Sequence, residues 1–133
     1  MPIDVAWYDA EKNIMMMRYE GRWSWEEHYE ALQTSKDMMK VLEPQRVDVI
    51  AHMVGSFVPR GNMSTHSVSS LRNPSPNLGY VIVVSESRLV TALAAIGLKI
   101  TATTRQYYRA APTIAEALDL VAVDRAQKVS DHN

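Results

Sequence analysis

An α/β fold follows from three features of the sequence. These are an opening alternation of apolar and polar residues, an unbroken apolar run at residues 80–84, and capped-helix signals that alternate with the later strand signals. Together they predict a single domain over residues 1–133. It would hold one mixed, mostly parallel five-stranded sheet with about four helices, in the order β-β-α-β-α-β-α-β-α.

The elements are justified in order. Ile3, Val5 and Trp7 alternate with Asp4, Ala6 and Tyr8, the period-two pattern of a strand. The polar stretch 9–13 suits a hairpin connection to a second strand from Ile14 to about Glu20. Met15, Met16 and Met17 put apolar side chains on both faces of that strand, because successive residues point to opposite sides. Gly21 is expected to break it. Ser24-Trp25-Glu26-Glu27 then matches a capping box, in which the serine hydroxyl and the glutamate carboxylate each satisfy a free amide of the first turn. Trp25, Tyr29, Leu32, Met39 and Leu42 recur at helical spacing until Pro44 stops the helix.

A third strand is expected over 47–54, with Val47, Val49, Ala51 and Met53 on one face and Asp48, Ile50, His52 and Val54 on the other. Residues 55–62 read as a loop, 63–72 as a serine-rich helix with a thin apolar stripe, and 73–77 as a breaker. The run 80–84 lacks alternation and fits a strand buried on both sides. A helix is expected from Ser87 or Arg88 through Leu93 and Ile96, with the segment 100–104 a mediocre helix former. A short strand follows over 106–111. Thr113-Ile114-Ala115-Glu116 then opens a terminal helix with a second capping box.

In outline the chain resembles the STAS domain superfamily, and more closely its SpoIIAA-like branch of bacterial proteins. The likeness rests on the element order, on Glu20-Gly21-Arg22-Trp23-Ser24-Trp25-Glu26-Glu27 where strand two passes into an acid-capped helix, and on Thr113-Ile114-Ala115-Glu116-Ala117-Leu118. It implies a regulatory module that binds a protein partner or a small ligand, with no cofactor. A ferredoxin-like α+β arrangement, which also begins with strands and capped helices, is the competing architecture. In the anti-sigma factor antagonists of the superfamily, a serine after strand three is phosphorylated within a pattern close to Asp-Ser-Ser-Gly. The nearest candidate here is Ser64, followed by Thr65, with neither the preceding aspartate nor the following glycine.

Composition narrows the function classes. Lys+Arg is 14 and Asp+Glu is 15, so the chain lacks the basic excess of a bulk nucleic-acid binder. With no cysteine there is no thiolate metal site, disulfide or cysteine nucleophile. No stretch approaches the roughly 18 apolar residues of a membrane helix, and Met1-Pro2-Ile3-Asp4 is not a secretory leader, so the expected location is cytoplasmic. Gly-x-Ser-x-Gly elbows, phosphate-cradling glycine loops and H-E-x-x-H spacings are all missing.

Three candidate sites remain. Arg60 and Arg88 follow strands three and four, at the edge where open parallel sheets bind ligands. With His66 they form a candidate anion grip, or else they are surface solubilisers. His52, Arg60 and His66 around the loop after strand three are the candidate site of a small enzyme, and any metal site would need His52, His66 and Asp48 to converge. Trp7, Met15, Met16 and Met17 are a candidate interface: if right-handed crossovers put every helix on one side of the sheet, the other side needs a cover. A homodimer or a lipophilic ligand would supply it, unless methionine is here simply core filler.

Overall fold

The opening alternation does form a hairpin. In the structure, a computed structural model describing residues 2–57, 63–87 and 101–131, β1 (Ile3–Trp7) pairs antiparallel with β2 (Ile14–Arg22), and Val5 lies opposite Met17. The Asp9 carboxylate fixes the turn by accepting from the amides of Asn13 and Ile14, each at 2.9 Å. β3 (Val47–Phe57), β4 (Leu78–Val84) and β5 (Tyr108–Ala111) add in parallel, giving the sheet order β1-β2-β3-β4-β5. Around it lie α1 (Trp25–Lys40), α2 (Met63–Ser70), α3 (Ala102–Tyr107) and α4 (Ile114–Asp131). The mixed α/β class is as expected. The helix anticipated from Ser87 or Arg88 falls outside the described residues.

Local boundaries differ where backbone conformation overrides side-chain pattern. Gly21 does not end β2. It adopts φ +70°, and the strand continues to Arg22. Opposite it, Gly55 adopts φ +53° and carries β3 on to Phe57, while the β2–β3 pairing shifts register between Glu20 and Arg22. Only glycine reaches this left-handed region at little cost, so the pair bends the ladder without breaking it. Residues 102–107 form a helix across a mediocre helix former, and the strand expected from Gln106 begins only at Tyr108. Thr101 caps it, accepting from the Thr104 amide at 3.0 Å, while the Thr104 hydroxyl accepts from the Thr101 amide at 3.1 Å. This reciprocal cap offsets the weak helix propensity of the threonines.

The two faces of the sheet carry separate cores. On one, Met15, Met17, Tyr19, Val47, Val49 and Ala51 pack with Ala31 and Met39 of α1. On the other, Ile50, Ile82, Val84 and Ala111 pack with Ala117 and Val121 of α4. The expectation that every helix lies on one side is therefore corrected. The handedness rule governs helices that cross over between parallel strands. α4 follows the last strand and returns to none, so it is free to fold back over the opposite face.

Asp48 is the polar centre of that second face and is fully buried. β4 carries one extra residue against β3, the pairing passing from Val47–Leu78 to Val49–Val81. The Asp48 carboxylate takes up the amide of Tyr80 at this bulge, at 2.7 Å. Its neighbour there must be glycine: a Cβ on Gly79 would collide with the Asp48 carboxylate and with Nε of Arg46. Arg125 of α4 donates to the same carboxylate from Nε at 3.0 Å and from a terminal nitrogen at 2.7 Å. The charge that β3 buries is thus the point where α4 is fastened.

Candidate functional site

α1 turns an unexpected stripe toward the sheet. Its capping box forms as the sequence requires, with Ser24 Oγ and Glu27 Oε1 each accepting the other residue's amide at 3.1 Å. Starting there, Trp25, His28, Leu32, Ser35 and Met39 succeed one another at intervals of three and four, and all face inward. Between this stripe, α2 and the sheet lies a cavity of about 110 Å³. Met17, Val49, Ala51 and Val83 floor it, Leu71 beyond α2 closes one side, and Trp23 and Trp25 close an end. The wall is overwhelmingly apolar. Its aromatic end is built edge to face, Tyr19 to Trp23 at 4.9 Å and Trp23 to Trp25 at 5.0 Å between ring centres. Trp25 in turn stacks on His66 at 4.2 Å.

The polar groups at that end form one wired cluster. Ser70 Oγ lies 2.7 Å from the His66 carbonyl oxygen and 2.8 Å from Nε2 of His28, and Nδ1 of His28 lies 2.8 Å from the Tyr19 hydroxyl. A carbonyl can only accept, so the single Ser70 proton goes to His66. Nε2 of His28 must then carry a proton and donate to Ser70, and Nδ1 accepts from Tyr19. Burial raises the Tyr19 phenol well above its ordinary value, which keeps that donor protonated. The Tyr108 hydroxyl also bonds Ser70. This wiring does not resemble a nucleophile and its base. A base toward Ser70 would need a bare Nε2, and the proton sits there.

Burial, with the His66 ring nearby, lowers the His28 pKa to about 4. The unfolded chain takes up this proton near pH 6.5 and the folded chain only near 4. The contribution of neutral His28 is therefore complete above pH 6.5, declines as pH falls between these values, and is gone below the lower one. The expected loss across the window is about 3 kcal/mol. Urea unfolding from pH 7 to 4 checks it: His28→Gln, whose amide can both accept from Tyr19 and donate to Ser70, should flatten that part of the profile relative to wild type.

The residues singled out in the sequence do not assemble into one site. His52 lies on the face of Asp48 and Ile50, partly buried, its pKa lowered by burial and then by Arg18. His66 lies across the sheet, its Nδ1 bonded to the Tyr29 hydroxyl at 2.8 Å. The sheet separates them, so neither the small-enzyme site nor the metal convergence has its geometry. Asp48 is committed to guanidinium groups instead, and among the described residues no three potential ligands cluster as a metal would need. Arg60 and Arg88 fall outside the described residues. Ser64 belongs to the first turn of α2, and its side chain is also outside the description. Of the hairpin residues, Met15 and Met17 are 0% and 4% exposed beneath α1. As an interface they are corrected to core, while Trp7 and Met16 remain partly exposed, Met16 packing toward α4. No protein-family model, curated protein or solved structure matches the chain.

Proposed function

We propose that the chain is a small-molecule-binding module that takes a compact apolar guest into the cavity between α1, α2 and the sheet. The observation that carries this reading is the cavity itself: about 110 Å³ of space in a wall of methionine, valine and aromatic side chains. Apolar cavities of roughly 150 Å³ stay dry and accept a benzene-sized guest, so this one suits a single ring or a short branched chain. Three of its wall residues are Met17, Met39 and Met53, and thioethers adjust to a guest's shape with little strain. The Ser70 proton held by the His66 carbonyl and the donating Nε2 of His28 favour holding a molecule over transforming one. A STAS-like regulatory module, whose ligand state would be read by a partner protein, accords with the element order and with the acid-capped α1.

Methionine-methyl NMR tests the reading with toluene as the probe. Saturable shifts are expected at Met17, Met39 and Met53. Met16 serves as the internal reference, because it sits with the α4 core on the opposite face. Unmoved cavity methyls, or equal movement at Met16, would overturn the proposal.

A further inference from the structure

Among the described residues lining the cavity, Lys36 is the one that carries a charge at neutral pH, because burial keeps His28 in its neutral form. Lys36 follows Ser35 in the inward stripe of α1, roughly 16 Å along the helix axis from Trp25. The segment after α2 meets α1 at this end. The Asn77 side chain donates to the Met39 carbonyl at 3.1 Å, and Pro74, Ser75 and Leu78 line the cavity along with Lys36. All four lining residues are partly exposed, so the wall meets water here.

The ammonium of Lys36 is uncompensated. Among the described residues it has neither an ion pair nor a hydrogen bond. Helical spacing explains this: its neighbours three and four places away on α1 are Leu32, Gln33, Met39 and Lys40, none of them acidic. Asp37, adjacent in sequence, does not face it and accepts from Gln33 at 3.0 Å. The Lys36 nitrogen is not buried either, since the buried side-chain nitrogens without a partner among the described residues are those of Trp23 and Trp25. Lysine lays its four-carbon stem on apolar surface and keeps its head in water. Here that surface is the cavity wall, so the stem continues the lining and the charge stands at the rim. From this placement we infer that Lys36 is the anion-binding end of the cavity and selects a guest with an apolar body and one carboxylate, such as an arylacetate. One ammonium balances one negative charge, whereas a doubly charged phosphate would keep a net charge against an apolar wall. The volume of about 110 Å³ limits the body to a single ring or a short chain. The inference rests on the cavity-binding reading above and adds the guest's chemical class and its orientation, body inward and carboxylate at the rim.

Phenylacetate and phenylacetamide share a body and a planar head and differ in charge, so they separate the two claims. In low salt at pH 7, methionine-methyl titrations should show phenylacetate binding about tenfold more tightly than phenylacetamide. Added salt should shrink that ratio, because the rim is open to solvent. Lys36→Met keeps an apolar stem and a good helix former, and it should bring the two affinities together, while Lys36→Arg should keep the preference. The comparison in the wild-type protein needs no variant to fold. No preference for phenylacetate in the wild type, or a preference that survives Lys36→Met, overturns the inference and leaves the cavity reading standing. Entry of toluene alone does the same. Entry of none of the three compounds overturns both.

Discussion

Asp48→Asn is expected to lower the unfolding free energy by about 3–5 kcal/mol and the Tm by about 10–20 °C. The carboxylate is 0% exposed and receives five N–H bonds. Arg46 reaches one oxygen at 2.8 and 3.2 Å together with the Tyr80 amide, and Arg125 grips the other. The network extends further, Arg46 pairing with Asp124 at 2.6 Å and Tyr80 donating to Asp124 at 2.8 Å. Asparagine keeps the volume but removes the charge, and its amide nitrogen turns a donor toward a guanidinium donor. Two guanidinium groups then share a neutral amide, and Asp124 remains as the counter-charge of Arg46. The loss falls on α4, because the guanidinium of Arg125 is the polar tie between that helix and Asp48 as well as the carbonyls of Asn13 and Arg46. Loosened, α4 uncovers the apolar face of Ile50 and Ile82. Urea and thermal unfolding measure the effect. A loss below 1 kcal/mol would mean that apolar packing and the Asp124 bonds to Arg46 and Tyr80 hold the helix without Asp48, since exposed ion pairs are worth no more than that.

How much of this was readable beforehand depended on range along the chain. The hairpin, α1 with its cap, the buried β4 and the start of α4 all announce themselves within a few residues, through alternation, a capping box or an uninterrupted apolar run. α3 did not, because a six-residue helix gives too short a window for periodicity, and its cap pairs Thr101 with a threonine where the usual pattern has glutamate. The side of the sheet that α4 covers is set by a contact between Asp48 and Arg125, 77 residues apart, which no local window can see. A clue existed all the same. An aspartate between Val47 and Val49, in a strand with helices on both sides, must find cations. The cavity was legible in part as well. The spacing Trp25, His28, Leu32, Ser35, Met39 fits a helical stripe as well as the one drawn through Tyr29, and it places a histidine and a serine among apolar residues. Two small polar groups on a buried stripe mark a site or an internal hydrogen-bond cluster. Arg60 and Arg88 stand out in the sequence because charge is conspicuous, whereas a cavity wall made of Met, Val and Trp looks in sequence like any other core.

Ser70→Ala is the second large effect, expected at about 2–4 kcal/mol for the loss of one oxygen atom. Ser70 is 5% exposed and joins three elements: α2 by its own position, α1 through His28, and the start of β5 through Tyr108. Alanine leaves the Nε2–H of His28 without its acceptor and removes the bond to the Tyr108 hydroxyl. The His66 carbonyl is less affected, because the helix supplies it a backbone donor. The wiring makes a sharper forecast than the single value. Tyr108→Phe alone removes one bond from a serine that keeps its bonds to His28 and His66, so its cost should be near 1 kcal/mol. In Ser70→Ala/Tyr108→Phe the bond between the two hydroxyls is lost once and not twice, and the double variant should fall short of the sum by about 0.5–3 kcal/mol. Strict additivity in a urea-unfolding cycle would show that Ser70 and Tyr108 are not coupled. The same cluster closes the aromatic end of the cavity, so loosening it should also weaken toluene binding while leaving Met16, across the sheet, unperturbed. The polar hub and the apolar cavity are then one structure: the hydrogen bonds hold α2 against α1 at the distance that keeps the space between them open.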